Sequence, residues 1–131
     1  MRIEVATHVV EAMQSAAFAA HPHEACGILL GERERISGCI ATRNVHGDQE
    51  THFEIDPQAL IDAHRAARQG GPQVVGYYHS HPVGTAEPSQ TDRSMASGDG
   101  RIWAIVAEGG VKFWQDRPGG FVVVSHELVE E

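Results

Sequence analysis

Two histidines one residue apart, His79 and His81, close the apolar run that begins at Val74, and Asp92 follows after the ten residues 82–91. On an extended strand, residues two apart project to the same side, with Cα atoms roughly 6.6 Å apart. Both imidazoles can therefore aim at one point. Pro82 turns the chain away, the segment 80–88 is long enough to loop back, and Asp92 falls in the first turn of the helix that Ser89 starts. Two imidazoles and a carboxylate, with a fourth position left to water, make up a catalytic zinc donor set. Such a centre lowers the pKa of its water to about 7 and polarises a carbonyl.

Taken singly, each half has a plainer explanation. His-x-His pairs are common on surface strands. Ser89 and Asp92 also form a capping-box variant, the serine capping and the aspartate favouring the helix dipole. The strand, the Pro82 turn and the helix start together favour the metal. A hydrolytic centre also needs a general base beside its water. Glu24, just ahead of the apolar segment 26–30, is the first candidate, although a solvated glutamate at a strand end would look the same. Glu87, nearer the histidines but in a loop of prolines and small residues, is its rival.

The elements that must hold these groups can be read from periodicity and punctuation. Arg2–Val5 reads as a short strand. Thr7 is placed to cap a helix that runs to about Ala20, with Pro22 ending it. Cys26–Leu30 reads as a buried strand, Glu32–Arg35 as a hairpin tip, 36–45 as the returning strand and 52–55 as another short strand. Asp56-Pro57 opens a second helix that runs to about Gln69. Val74–His79 reads as a central strand, Ser89–Ala96 as a short helix, and 101–107, 111–115 and 121–125 as strands joined by glycine turns. These elements make one α/β layered domain spanning 1–131, a sheet with helices packed on it.

A chain of 131 residues that is 41% hydrophobic can build one core. Its net charge of -8 lacks the basic footprint needed for nucleic acid. The longest apolar runs are far too short for a bilayer-crossing helix. The opening MRIEVATHVV has no basic segment before an apolar core, so no secretory leader is expected. A cytoplasmic location follows as the expectation. Cys26 and Cys39 form no C-x-x-C pair and are read as free thiols, although a same-face diagonal placement leaves a poor disulfide geometry open.

The compound pattern of Glu24, then His79-Ser80-His81-Pro82, then Ser89-Gln90-Thr91-Asp92, resembles the signature of the JAMM (MPN+) zinc metalloproteases. The likeness extends through EACGILLG and HFEIDPQAL and departs from the pattern at no motif position. It implies the MPN fold, a cytidine-deaminase-like mixed β-sheet with flanking helices. It implies one Zn2+ per chain on His79, His81 and Asp92, with Glu24 as general acid/base and Ser89 as oxyanion donor. The implied reaction is hydrolysis of a peptide or isopeptide bond after the Gly-Gly tail of a small ubiquitin-like or sulfur-carrier protein. The segment after Asp92 leaves little room for the second of the two inserted segments of relatives that grip ubiquitin chains, which suggests a minimal prokaryotic type. A homodimer is compatible with the reading.

Two other functions were weighed against this one. A metal-free MPN scaffold would be expected to lose ligands, and none is lost. A zinc amidohydrolase acting on small-molecule amides stays open, whereas zinc deaminases use a P-C-x-x-C pair that is absent. His8, His21, His23, His64 and His126 are read as solvated. His46 and His52 lie in or near a loop that could meet substrate. Trp103 and Trp114 are read as core, and the closing ELVEE as a solvated acidic end.

Overall fold

A computed structural model describes residues 1–130. Among these residues seven strands and three helices follow one another: β1 Arg2–Ala6, α1 Thr7–Ala20, β2 Cys26–Glu32, β3 Arg35–Thr42, α2 Pro57–Arg68, β4 Gln73–Ser80, α3 Gln90–Met95, β5 Ile102–Ala107, β6 Gly110–Arg117 and β7 Gly120–Val129. The mixed sheet runs β1-β3-β2-β4-β5-β6-β7 and closes on itself, because β1 pairs in parallel with both β3 and β7. β4 is central, antiparallel to β2 and parallel to β5. Gly76 permits the close β4–β5 approach: a Cβ there would lie 1.8 Å from the Ile102 carbonyl oxygen. Closure leaves few unpaired strand groups.

Both faces of β2 are buried, which explains its continuous apolar run. Leu29 faces the inner core, with Ile3, Val5, Val9, Met13, Ile36, Tyr78 and Phe113. Cys26 and Ile28 face the other way, toward Ile55, Ala63, Leu60 and Phe53 under α2. A bulge opposite Leu29/Leu30 places Val75 out of register, so that Leu29 pairs with Gly76 and Leu30 with Val74. The side-chain parity of β4 flips there. Val74 and Tyr77 both pack on the α2 side, and His79 lies on that side too, against Phe53.

Several local expectations need correction. Thr7 is the first helical residue rather than the cap; Ala6 occupies the cap position, and the Thr7 hydroxyl donates to the Val129 carbonyl. Residues 52–55 form no strand, only a single bridge from Ile55 to Asn44, since the His52 carbonyl and the Glu54 N–H bond to the Asn44 side chain instead. Cys26 and Cys39 are free and lie on opposite faces, because Cys39 pairs with Leu29 and Cys26 with Thr42. Trp103 is buried, but Trp114 is half-buried and donates its indole N–H to the Ala86 carbonyl at 3.0 Å. The closing acidic stretch belongs to β7 through Val129, with Glu127 bonded to Arg2; its last residue, Glu131, lies outside the described residues.

Candidate metal centre

β4 delivers His79 at its penultimate position, and the β4–β5 ladder continues one step past Ser80, where the His81 N–H donates to the Val106 carbonyl at 2.8 Å. His81 is thus held in extended register before Pro82 diverts the chain. The returning loop is tied down on its far side by Trp114 and by a Lys112–Glu87 ion pair at 2.6 Å. Ser89 then caps α3 with a full capping box: its hydroxyl oxygen accepts from the Asp92 N–H at 3.0 Å, and Asp92 Oδ2 accepts from the Ser89 N–H at 2.9 Å. The cap orients the Asp92 carboxylate as well as starting the helix.

The three groups converge. His79 Nε2 lies 3.2 Å from His81 Nε2 and 3.1 Å from Asp92 Oδ1, while Asp92 Oδ2 lies 3.0 Å from His81 Nε2. Ligand atoms about 2.0–2.1 Å from a zinc ion at tetrahedral angles are about 3.3 Å apart, so the observed spacings suit such an ion. The tautomers suit it too. His81 Nδ1 donates to the Thr85 carbonyl at 2.6 Å, which turns the lone pair of neutral His81 onto Nε2. His79 is fully buried, stacked on Phe53 at 4.3 Å and edge-on to Trp103 at 5.7 Å.

Burial pushes the His79 pKa down against the pull of Asp92, favouring the neutral, metal-binding form. Burial opposes protonation of His81 as well, but its bonds to Asp92 and Thr85 and the charge of Glu24 outweigh it and raise the pKa. Burial likewise opposes charge on Asp92, yet the bonds from both imidazoles and from Ser89 hold it well below the usual carboxylate range.

Glu24 is buried at the entrance to β2 and lines a cleft of about 380 Å³ with His81, Ser89, Thr91, Glu50, Thr51 and His21. Its Oε1 atom has no hydrogen-bond partner. Its pKa is pushed up to about 7, chiefly by burial, with the His81 charge opposing and the Asp92 charge adding. An orphaned buried carboxyl oxygen beside a convergent donor set fits a water or ion held between them. The rival base, Glu87, is occupied by Lys112.

Sequence reasoning missed Phe53, which fixes the His79 ring plane, and the Thr85 carbonyl, which fixes the His81 tautomer. Phe53 carries no motif, and a main-chain oxygen leaves no trace in residue type. In the loop that carries His46 and His52, Glu50 and Thr51 line the cleft, whereas Asn44 is turned inward into the loop's hydrogen bonds. Beyond Ile36, β3 has β2 on one side and no strand on the other among the described residues, an edge open to an incoming strand; β7 is likewise paired on one side at a time, with β6 through Val124 and with β1 from Ser125.

Comparison with known proteins supplies independent context. Residues 6–117 match the family model described as prokaryotic homologs of the JAB domain. The chain is 33% identical over 91 residues to a desampylase of Haloferax volcanii, covering 68% of this chain and 66% of that one. It is 39% identical over 71 residues to a probable TtuB-protein conjugate cleaving protease of Thermus thermophilus, covering 54% and 47% respectively. These alignments span about two thirds of the first relative's length and about half of the second's. Among solved structures, a protein of Desulfitobacterium hafniense superposes with a TM-score of 0.87 at 26% identity, over 100% of this chain and 94% of that one.

Proposed function

The chain belongs to the prokaryotic JAB domain family, and from that premise we propose that it is a zinc metallopeptidase that releases proteins or amines joined to the C-terminal Gly-Gly of a small ubiquitin-like or sulfur-carrier protein. The observation that carries the reading is the 3.0–3.2 Å convergence of His79 Nε2, His81 Nε2 and the Asp92 carboxylate beside the orphaned Glu24 carboxyl. His79, His81 and Asp92 would hold one Zn2+, whose chemistry when bound is Lewis acidity toward water and carbonyl oxygen.

The chain's own groups then divide the work. Glu24 takes a proton from the attacking water and passes it to the departing amine, a role its raised pKa suits. The Ser89 hydroxyl oxygen is committed as acceptor to the Asp92 N–H, so its hydrogen is left to donate to an oxyanion. Phe53 and Trp103 shield His79 from solvent. The cleft at Glu24 continues past His21, His81 and Pro82 into a second one of about 730 Å³, bordered by Phe18 and Glu108. Such an open path suits an extended tail without side chains. The names of the two relatives, a desampylase and a conjugate-cleaving protease, support a protein substrate.

Purified chain loaded with Zn2+ should cleave a fusion in which a small ubiquitin-like protein ending in Gly-Gly precedes an extra peptide or amine. It should cut low-mass amides far more slowly. Glu24→Gln should keep one zinc per chain and lose hydrolysis by about 10²–10⁴-fold. Efficient cleavage of low-mass amides, with the fusion left intact, would move the substrate to small molecules.

A further inference from the structure

Glu24 stands outside the sheet ladder, in the passage between α1 and β2, and no hydrogen bond from the protein holds its Oε1. What aims its carboxyl group is therefore its own main chain. Both polar groups of that main chain go to one place. The Glu24 N–H donates to the Gln49 carbonyl at 2.7 Å, and the Glu24 carbonyl accepts from Asn44 Nδ2 at 3.1 Å. The loop between Asn44 and Ile55 is in turn organised by Asn44. Its Nδ2 also donates to the His52 carbonyl at 3.0 Å, and its Oδ1 accepts from the His46 and Glu54 N–H groups, both at 3.1 Å. Its carbonyl accepts from Gln49 Nε2 at 2.9 Å. All four hydrogen-bonding sites of the Asn44 amide are thus used, two as donor and two as acceptor. Carbonyls face Nδ2 and N–H groups face Oδ1, which fixes the amide's orientation. The same loop puts Glu50 and Thr51 into the cleft with Glu24.

We propose that Asn44 is a positioning residue for the reaction: through a loop whose two ends its side chain joins, it holds the Glu24 main chain so that the buried carboxyl group points at the His79, His81 and Asp92 cluster. The inference rests on the peptidase reading and deepens it. No other side chain substitutes. Aspartate keeps the two acceptors but loses both donors and sets a charge against two carbonyl oxygens. Alanine loses all four bonds. Neither change touches the metal-binding atoms, so zinc content is expected to hold at one per chain.

The test compares Asn44→Ala and Asn44→Asp with the parent in two arms. In the zinc-loaded enzyme, kcat on the Gly-Gly fusion should fall by about 10–100-fold, as expected for a displaced catalytic group, while KM stays within about twofold. In the metal-free protein, hydrogen exchange of the Glu24 amide should accelerate at least about tenfold, while amides of β4 and β5 such as Tyr78 and Ala104 keep their protection. Parent-like kcat in Asn44→Asp overturns the donor role. Exchange that accelerates throughout the sheet together, with kcat per folded molecule unchanged, reduces Asn44 to a structural residue and overturns the proposal. An unaltered Glu24 amide does the same. If the parent cleaves no fusion, the peptidase reading fails, and the exchange arm still decides whether Asn44 anchors Glu24.

Discussion

Two clusters in this chain have the same inventory of donors and different physics. His79, His81 and Asp92 form one, and His46, Asp48 and His52 the other; in each, the candidate ligand atoms lie within 4.8 Å of one another. The first is built on β4 and the capped start of α3, buried and walled by Phe53 and Trp103. The second sits in a loop, with Asp48 exposed. There the rings are already spent on one another and on their neighbours. His46 Nδ1 accepts from the Asp48 N–H at 2.9 Å, His52 Nδ1 meets the Thr51 hydroxyl at 2.7 Å, and the two imidazoles stack at 4.7 Å. In the first cluster, by contrast, a carbonyl occupies the far nitrogen of His81 and leaves the near one for an ion. A candidate metal centre is therefore marked less by which residues gather than by whether the surrounding fold has left their lone pairs unspent and aimed together.

That contrast can be broken most sharply at Asp92. Asp92→Ala should take zinc from about one per chain to near none, measured by native mass spectrometry, whereas His46→Ala should leave it at one. Retention of tight zinc by the first variant would put the centre elsewhere. Next in size, Ser89→Ala should slow cleavage by about 10–10³-fold, since it removes the proposed oxyanion donor. The same change should destabilise the protein by about 1 kcal/mol, because it removes a helix cap. Ser89→Thr, which keeps both, should restore most of each.

The third outcome concerns pH. Glu24 has a folded pKa raised from 4.5 to about 7, so its contribution to stability is fully present below about pH 4.5 and is lost as pH rises through 7. Asp92 has the opposite sign: its contribution is present above its ordinary range near 3.8 and lost as pH falls. Metal-free Glu24→Gln should therefore melt above the metal-free parent at pH 8, and the two should converge near pH 4.5. Equal Tm values at both pH values would show that Glu24 is not held in a desolvated setting. The smallest effect belongs to the loop cluster: His52→Ala should leave zinc content unchanged and shift Tm by no more than about 2 °C, in line with a half-buried loop substitution outside the core.

Much of this could be read before any coordinates. The Asp56-Pro57 start of α2, the Ser89 cap of α3 and the Arg33-Glu34 turn are local chemistry, and each stands where residue type places it. The His79–His81 pair and the return to Asp92 were legible because period-two geometry and a capping serine act over a few residues. Other features were not legible, for reasons that are equally physical. Residues 52–55 have strand-like composition, but Asn44 draws their main chain into a loop. A same-face placement of Cys26 and Cys39 stayed open in the sequence, and the register shift at Leu30/Gly31, which sets Leu29 opposite Cys39, separates them.

The sequence by itself determined which groups could bind a metal, because spacing along one strand and one helix turn is local and is encoded in adjacent residues. It also determined that one apolar core could form. Tertiary structure alone decided that β1 would close the sheet against β3 and β7, that the Val75 bulge would turn His79 toward Phe53, and that Glu24 would be buried beside the histidines with its main chain held by Asn44. Those outcomes depend on contacts between residues far apart in the chain, and no single segment carries the energy that selects them.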